Sequence, residues 1–319
     1  MMNLCELPQS VIQADLNLNR FSLEKVANGI SKKVYIVTDD HGNRTILYIW
    51  QKPFLGLTGA HTEGLDYLYA EGFEYFCHNT RLLTDIGIRV PRIIKTGHFS
   101  ANDNFAYAYV ECFEGVSLQE YLQYGRIKDV SDKVAAELKK FYACSRDYYG
   151  PPIFSTGHTK SCQQLCYEHA VEELGIACGL DSDVEGIKNL VCRQLNNFMV
   201  IFSRQAGPAG YTLIHGEATP QHIWLLNDGT IGFIDIEGVK YFEIEFEYAL
   251  LEMLYSYLPA GNPEDYDRNK VLFYRLYHRI CWLSVAVDYL QHVDKNSQFF
   301  IKLRRIMLRE LSGGSPARI

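Results

Sequence analysis

The chain has 319 residues, of which 47% are hydrophobic and 22% charged, with a formal net charge of −7 and a pI of about 5.8. This composition is typical of a globular protein with one large domain or two lobes, and it excludes a disordered chain. The charge is acidic and no basic block stands out, so we expect no nucleic-acid partner. No stretch approaches the roughly 18 apolar residues that a membrane span needs, so we expect no membrane partner.

The N-terminus has neither a basic start nor an apolar run, so we expect no signal peptide. Nine cysteines at irregular spacings indicate reduced thiols and a cytoplasmic protein rather than a disulfide framework. His158, Cys162, Cys166 and His169 would share one face of a helix. One straight helix cannot wrap four ligands around a tetrahedral ion, so buried thiols are the favoured interpretation over a zinc site.

The first third of the chain predicts mostly strands. Runs of β-branched and aromatic residues flank turn-forming clusters, and one long stretch has helical spacing. The predicted strands cover residues 34–37, 45–50, 92–95 and 105–113, and the predicted helix covers residues 61–86.

From about residue 117 onward the pattern becomes helical. Ser117 and Glu120 have the spacing of a capping box, which predicts a helix start. Short apolar strands interrupt the helices that follow. The predicted helices cover residues 130–149, 185–204, 265–293 and 299–311, and the predicted strands cover residues 212–214, 222–226 and 231–235.

The segment that can carry chemistry begins at the end of one of these strands. His215 leads into a loop that contains Glu217 and ends at His222, and a hairpin then returns the chain to Asp235. The paired strands can place Asp235 close to His222. Two carboxylates and an imidazole are suited to a divalent metal site or to acid–base chemistry. The alternatives are a loop merely held by hydrogen bonds and a transition-metal hydrolase site.

The block His215-Gly-Glu-Ala-Thr-Pro-Gln-His222, followed by a hairpin and Asp235-Ile-Glu237, resembles the signature of the aminoglycoside phosphotransferase and choline kinase superfamily. In that signature His-Gly-Asp, four residues, Asn and a hairpin precede Ile-Asp-x-Glu. The resemblance implies an α+β, bilobal, protein-kinase-like fold. Its N-terminal nucleotide-binding lobe, an antiparallel sheet plus a helix, would cover residues 1–110. A hinge would cover residues 111–116, and a larger, mainly helical catalytic and substrate-binding lobe residues 117–319.

The resemblance also implies an activity, the ATP-dependent phosphorylation of a hydroxyl on a small polar or cationic molecule. GTP is the alternative nucleotide, and Mg²⁺ or Mn²⁺ is the ion. By position, Glu217 orients or deprotonates the hydroxyl, and His222 and Asp235 hold the ion. Glu237 lies on the substrate side or shares a second ion, and His215 structures the catalytic loop.

Two further segments resemble the nucleotide site of the family. Gly29 and Ser31 resemble the glycine loop over the phosphates. The run from Tyr109 to Leu118 resembles the hinge strand, so backbone groups near Glu111 and Phe113 are expected to face adenine.

The strand position that carries a lysine or arginine in the family falls on Tyr48. A phenol offers no cation, so Lys32, Lys33 or Lys52 would have to contact the phosphates instead. Glu74, with Glu71 as the second choice, is the helix carboxylate expected to pair with that cation.

The sequence departs from the family at several other positions, yet each change keeps its chemical type. Glu217 replaces an aspartate and His222 an asparagine, and Glu243 and Glu247 replace two aspartates near the next helix. The second of these aspartates normally braces the catalytic loop. Glu243 and Glu245 either attract a cationic substrate or form an exposed helix face. The departures also leave open a pseudokinase that binds nucleotide, or nothing, and acts through protein contacts. The sequence determines neither the acceptor nor the oligomeric state.

Overall fold

The computed structural model describes residues 7–28, 32–50, 63–99, 105–123, 128–205, 210–255 and 266–313. Gly29, Ser31 and Lys52, which we predicted at or near the nucleotide, lie outside these residues.

The N-terminal part is a five-stranded antiparallel sheet with the strand order β1-β2-β3-β5-β4. The turn between β2 and β3 closes because Asp39 Oδ1 accepts the backbone N–H groups of His41 at 2.9 Å and Asn43 at 2.8 Å. The strands are β1 (Phe21–Asn28), β2 (Lys33–Asp39), β3 (Arg44–Trp50), β4 (Ile93–Phe99) and β5 (Phe105–Glu111).

Strand β3 is buried on both faces of this sheet, because successive side chains of a strand point to opposite sides. Leu47 and Ile49 join the hydrophobic cluster that also contains Ile12 of helix α1 (Gln9–Leu16). Tyr48 and Trp50 point the other way and pack against helix α2 (Phe73–Asp85). The α2 side of the sheet is the side that faces the catalytic segment.

Two small sheets hold the segment that we expect to carry chemistry. One contains β6 (Gly115–Ser117), β9 (Ile223–Leu226) and β10 (Ile231–Phe233), and the other contains β7 (Ser145–Arg146), β8 (Tyr211–Ile214) and β11 (Lys240–Phe242). The chain leaves β8, forms the β9–β10 hairpin and returns in β11 beside β8. The loops that follow β8 and β10 therefore meet at one edge of these sheets.

The rest of the described chain is mainly helical, and α8 lies at its centre in contact with α5, α7 and α9. Buried aromatic residues of α8, such as Phe273, Tyr274 and Tyr277, fill the core of this lobe. The helices are α3 (Leu118–Gln123), α4 (Lys128–Tyr142), α5 (Cys162–Leu180), α6 (Ser182–Phe202), α7 (Ile244–Leu254), α8 (Arg268–His292) and α9 (Gln298–Leu311).

The predicted α+β fold, with an antiparallel N-terminal sheet and a larger, mainly helical C-terminal part, is confirmed, whereas the exact lobe boundaries stay a prediction. The predicted helix over residues 61–86 was too long. Gly64 and Gly72 adopt positive φ values of 84° and 118°, so residues 65–67 form a single 3₁₀ turn and α2 begins only at Phe73. The helix predicted to reach residue 149 ends at Tyr142, because residues 145–146 pair with β8.

None of the helices that the structure describes is long and apolar enough to cross a membrane. The eight cysteines within the described ranges are free thiols.

The predicted capping box is present at the start of α3. Ser117 Oγ accepts the N–H of Glu120 at 3.2 Å, and Glu120 Oε2 accepts the N–H of Ser117 at 3.0 Å. Replacing a serine cap by alanine typically costs about 1 kcal/mol. We expect Ser117→Ala to lower the free energy of unfolding by about that amount in urea denaturation. The exposed Ser22→Ala on β1 is the control, and an equal loss in both variants would contradict the capping role.

Candidate active site

The loop after β8 is held by one carboxylate of α7. Glu247 is fully buried, and its oxygens accept the backbone N–H groups of His215 at 3.1 Å and Gly216 at 2.7 Å. Gly216 has a φ of 84°, and a Cβ there would lie 2.7 Å from the carbonyl oxygen of Gly238. The loop therefore requires glycine at this position, and Glu247 braces the loop as the resemblance implied.

His215 lies beneath the loop as a neutral imidazole. Its Nδ1 accepts the N–H of Glu217 at 3.3 Å, and its Nε2 lies 3.2 Å from the carbonyl oxygen of Ile234. Because a carbonyl oxygen only accepts, Nε2 carries the proton. Burial lowers the pKa of His215 to about 3, and the charge of His222 acts in the same direction. The side chain is fully buried, so it can position the loop but cannot contact a substrate.

Glu217, His222 and Asp235 meet on the open side of the same loop. One ligand atom from each lies within 4.8 Å of the other two. His222 Nδ1 lies 2.9 Å from the carbonyl oxygen of Glu217 and therefore carries a proton. This leaves His222 Nε2 3.2 Å from Asp235 Oδ2. An unprotonated Nε2 would repel the carboxylate oxygen, so the pair needs either a proton on Nε2 or a shared metal ion.

The donor set fits a divalent cation. Adjacent ligands of an octahedral ion with bonds of ~2.1 Å stand about 3 Å apart, which the His222–Asp235 pair matches. Carboxylate oxygens suit Mg²⁺, and the imidazole nitrogen shifts the preference toward Mn²⁺. Close by, Glu237 Oε2 is buried and has no hydrogen-bond partner among the described residues. The site thus has acceptor atoms in excess of its donors.

The backbone of Asp235 is in the left-handed conformation, with φ 59° and ψ 51°. Non-glycine residues with this conformation are uncommon, and they are often found at functional sites. The turn after Asp235 is tied to the N-terminal lobe by Asn79 of α2, which is fully buried. Asn79 Nδ2 donates to the carbonyl oxygens of Ile236 at 2.9 Å and Glu237 at 3.1 Å. Helix α2 therefore fixes the position of the turn that follows Asp235.

A lysine from the N-terminal lobe reaches into this group of carboxylates. Lys32 precedes β2, is 8% exposed, and its Nζ forms ion pairs with Asp235 Oδ1 and Glu237 Oε1. Trp50 Nε1 donates to the same Glu237 oxygen at 3.1 Å. Desolvation alone would lower the pKa of Lys32, but the charges of Glu237 and Asp235 outweigh it and raise that pKa. Lys32 is therefore a permanent cation.

Neighbouring charges shift the pKa values of Asp235 and Glu217 in opposite directions. Desolvation opposes the ionisation of Asp235, but the charges of Lys32 and His222 outweigh it and hold the pKa of Asp235 below its usual range. Glu217 remains accessible at the mouth of the cleft, yet partial desolvation and repulsion by Asp235 raise its pKa. One carboxylate thus stays ionised, while its neighbour accepts a proton more readily.

Glu71, which lies just before α2, has a pKa that responds to the charges of this cleft. Desolvation and the charges of Glu217 and Glu237 raise the pKa of Glu71 to about 7. Glu74 is exposed on the first turn of α2. Glu71 is exposed as well, so the choice between Glu71 and Glu74 as the carboxylate near the cation stays a prediction.

A second buried cation lies under the loop. Lys240 on β11 is 3% exposed, and its Nζ donates to the carbonyl oxygen of Leu68. It also lies 4.4 Å from the centroid of the Phe246 ring, a cation–π contact. Burial lowers the pKa of Lys240, and the charges of Glu217 and Glu247 oppose that shift.

Of the residues predicted to lie near the nucleotide phosphates, Tyr48, Lys32 and Lys33 are within the described part of the chain. Tyr48 is buried, with its ring centroid 5.1 Å from Lys32 Nζ. Lys33 begins β2, opposite Ile49. Of the two described candidates, Lys32 is the one that forms ion pairs with Asp235 and Glu237.

The side chains of the predicted hinge residues Glu111 and Phe113 make structural contacts with Arg89. Glu111 forms an ion pair with Arg89, whose guanidinium also lies 5.0 Å from the centroid of the Phe113 ring. The backbone N–H of Glu111 donates to the carbonyl oxygen of Arg92 at 2.9 Å. Adenine contacts at Glu111 and Phe113 stay a prediction about their other backbone groups.

Both alternatives for Glu243 and Glu245 were wrong. These residues are 3% and 9% exposed, so they form neither an exposed helix face nor a binding surface. Glu243 accepts hydrogen bonds from Gln163, Lys270 and Tyr274, and it joins α5 to α8 at the start of α7.

The four potential ligands between residues 158 and 169 do not form a metal centre. His158 precedes α5 and packs against Tyr67, while His169 lies 3.0 Å from the Tyr277 hydroxyl. Cys162 and Cys166 are buried thiols, as favoured from the sequence.

Sequence reasoning missed Trp50, Asn79 and Lys240. Asn79 had a usable signal, because it lies on the same helix face as the buried Phe76 and Leu83, and a polar residue at such a position needs a partner. Trp50 shares a strand face with Tyr48. Lys240 begins the short strand that continues with the apolar Tyr241 and Phe242, and a charge in such a strand also predicts a specific contact.

A surface groove elsewhere on the protein does not contain these carboxylates. It measures about 810 Å³ and lies between α2 and β4, where Arg81 and Arg92 line it. We assign the candidate site by its converging chemical groups instead.

No family model matches the chain, and no curated protein matches it by sequence. Solved structures do match. A thermostable mutant of aminoglycoside phosphotransferase APH(4)-Ia aligns with a TM-score of 0.64 and 14% identity, over 96% of this chain and 100% of that one. The choline kinase LicA from Streptococcus pneumoniae aligns with a TM-score of 0.59 and 14% identity, over 96% of this chain and 99% of that one. The GDP and kanamycin complex of APH(2")-IIia aligns with a TM-score of 0.57 and 16% identity, over 95% and 97% of the two chains.

The first of these enzymes has also been crystallised in a ternary complex with AMP-PNP and hygromycin B. At 14–16% identity these matches show the fold. The chain therefore has the fold of the aminoglycoside phosphotransferases and choline kinases, and the resemblance seen in the sequence is confirmed at the level of the fold.

The raised pKa of Glu247 generates a pH prediction. Desolvation raises the pKa of this carboxyl group from 4.5 to about 7, although the N–H groups of Gly216 and His215 oppose the shift. Between these values the folded protein binds more protons than the unfolded chain, so the contribution of Glu247 to stability is lost as the pH rises. Glu247→Gln removes this titration. Relative to the wild type, its free energy of unfolding should rise by about 2–3 kcal/mol from about pH 5 to about pH 8.

Urea denaturation at the two pH values measures this difference. The exposed Glu74→Gln is the matched control and should follow the wild type at both. A Glu247→Gln curve parallel to the wild type would show that Glu247 does not titrate in this window.

Proposed function

We propose that this chain is an ATP-dependent phosphotransferase that phosphorylates a hydroxyl group of a small, polar molecule. The observation that carries the proposal is the convergence of Glu217, His222 and Asp235 within 4.8 Å at the edge of a kinase-like fold. The sequence of this loop resembles the family signature, and the resemblance implies that these groups are the catalytic and metal-binding residues. Solved members of the fold group with AMP-PNP or GDP support a nucleotide as the donor.

In this proposal each side chain has a distinct task. Asp235 and His222 hold the divalent ion, which when bound neutralises charge on the transferring phosphoryl group. Asp235 is suited to this because its neighbours keep it ionised. Glu217 orients the acceptor hydroxyl and takes its proton, for which its raised pKa is favourable.

The substitution of glutamate for aspartate at Glu217 is compatible with this task. The extra methylene extends the carboxylate by more than about 1 Å, a displacement that can impair a site unless the backbone compensates. The Glu217 backbone is fixed by His215 Nδ1 on its N–H and by His222 Nδ1 on its carbonyl oxygen. The longer side chain therefore starts from a defined position and reaches the open side of the loop.

The acceptor is a small molecule, and we propose that it carries a positive charge. Four carboxyl groups, those of Glu71, Glu217, Asp235 and Glu237, influence one another in this cleft. Among the described residues, Lys32, Lys240 and His222 are the positive groups that act on Glu217, so the four carboxyl groups leave the cleft favourable for a cation beside the metal ion. Hygromycin B and kanamycin, the ligands of two solved members of the fold group, are consistent with such a preference.

Metal-dependent nucleotide binding is the first test. We expect ATP to raise the melting temperature of the wild type only with Mg²⁺ or Mn²⁺, because Asp235 and His222 bind nucleotide through the ion. Asp235→Asn should abolish that shift, and GTP should be tested beside ATP. If no nucleotide stabilises the wild type with either ion, the phosphotransferase proposal fails and a pseudokinase acting through protein contacts is favoured.

Turnover is a separate test of Glu217. We expect Glu217→Gln to lower phosphoryl transfer to hydroxyl-bearing amines and sugars by about 10²–10⁴-fold, because the amide cannot accept the proton. The affinity for metal and nucleotide, measured by calorimetry, should change little. Undiminished transfer in this variant would show that Glu217 is not the base.

A further inference from the structure

Lys32 joins the two lobes at the point where chemistry is expected. It is separated from Asp235 and Glu237 by 203 and 205 residues, yet its Nζ forms ion pairs with both carboxylates. Only 8% of the residue is exposed. Burying an ammonium group is costly unless it is paired, so this lysine is held in place by the two acids.

The neighbourhood of Lys32 explains why the cation comes from this part of the chain. Tyr48 fills the β3 position where a cation was expected, and its ring packs edge-on against Trp50 and Phe76. Lys32 Nζ lies 5.1 Å from the centroid of the Tyr48 ring, within range of a cation–π interaction. Tyr48 therefore takes the β3 position that a cationic residue would occupy, and its ring also contacts the ammonium group of Lys32.

The ammonium group of Lys32 and a divalent ion would compete for the negative charge of Asp235, whose Oδ2 lies 3.2 Å from His222 Nε2. Asp235 Oδ1 and Glu237 Oε1 both contact Lys32 Nζ. Glu237 does not depend on Lys32 for its orientation, because Trp50 Nε1 donates to its Oε1 at 3.1 Å. Removing the ammonium group would therefore leave two positioned carboxylates without their cation.

We propose that Lys32 occupies the place of the divalent ion in the nucleotide-free protein and moves onto the nucleotide phosphates when metal and nucleotide bind together. The inference rests on the phosphotransferase function proposed above. It assigns to Lys32 the phosphate contact that Tyr48 cannot make. A lysine is suited to exchange partners, because its ammonium group is a compact charge on a flexible four-carbon stem. Metal ions alone then bind weakly, and the ion pair between the lobes opens when the nucleotide arrives.

The test uses Lys32→Met in the full chain and has two readouts of opposite sign. Without nucleotide, Mn²⁺ binding measured by electron paramagnetic resonance should be at least about tenfold tighter than in the wild type, since no ammonium group competes. With saturating Mn²⁺, the affinity for AMP-PNP measured by calorimetry should be at least about tenfold weaker, since the phosphates lose a cation. Neither readout requires turnover or knowledge of the acceptor.

Lys33→Met is the matched control, because Lys33 is the adjacent lysine and was one of the three candidates for the phosphate contact. It should bind Mn²⁺ and AMP-PNP as the wild type does. If Lys33→Met weakens nucleotide binding and Lys32→Met does not, the assignment is overturned. If Lys32→Met weakens Mn²⁺ binding as well as nucleotide binding, Lys32 only maintains the shape of the site and the proposed exchange is also overturned.

Two further variants keep the test decisive. Lys32→Gln, which retains a polar side chain, replaces Lys32→Met if circular dichroism shows that the latter is unfolded, with the same expected signs. Asp235→Asn should lose Mn²⁺ binding in either background if Asp235 is a ligand. If the wild type binds Mn²⁺ but no nucleotide, the phosphotransferase proposal and the phosphate role of Lys32 fail together. Tighter Mn²⁺ binding by Lys32→Met would then still establish that Lys32 occupies the place of the ion.

Discussion

Repulsion among carboxylates is the constraint that the rest of this site depends on. The charges of Asp235, Glu217 and Glu71 act on one another across one cleft, and neighbouring cationic groups have to balance them. Lys32 neutralises part of this charge and lowers the pKa of Asp235. The pKa values of Glu217 and Glu71 shift upward. Neighbouring acids with such different proton affinities are what an acid–base reaction beside a metal ion requires.

Backbone geometry fixes where these charges lie. Glu247 accepts two N–H groups of the loop after β8, while Asn79 donates to two carbonyl oxygens of the turn after Asp235. The first contact comes from the helical lobe and the second from α2 beside the N-terminal sheet. Together with the Lys32 ion pairs, they make the relative position of the lobes part of the active site. In the proposed function, a nucleotide bound between the lobes would therefore act directly on the proposed metal ligands.

Sequence reasoning predicted the elements that have strong periodicity or a local signal. The β2–β3 hairpin, the capping box at Ser117 and the long helices α8 and α9 lie close to their predicted positions. The errors arose where a tertiary pairing or a glycine overruled the local pattern, as at the start of α2, which Gly72 delays. Glu243 and Glu245 were misjudged for a related reason. Acidic residues on a helix usually face solvent, and their burial depends on partners from α8 that are distant in sequence.

By itself the sequence determined that Glu217, His222 and Asp235 lie close together. These residues belong to one short segment, and a local hairpin within it is enough to bring them together. The sequence also determined that Tyr48 supplies no cation, since that follows from the side chain alone. Only the tertiary structure decided that Lys32 rather than Lys33 reaches the carboxylates. The physical reason is that adjacent residues differ little in local pattern, whereas the choice between them depends on which ammonium group meets buried acids more than 200 residues away.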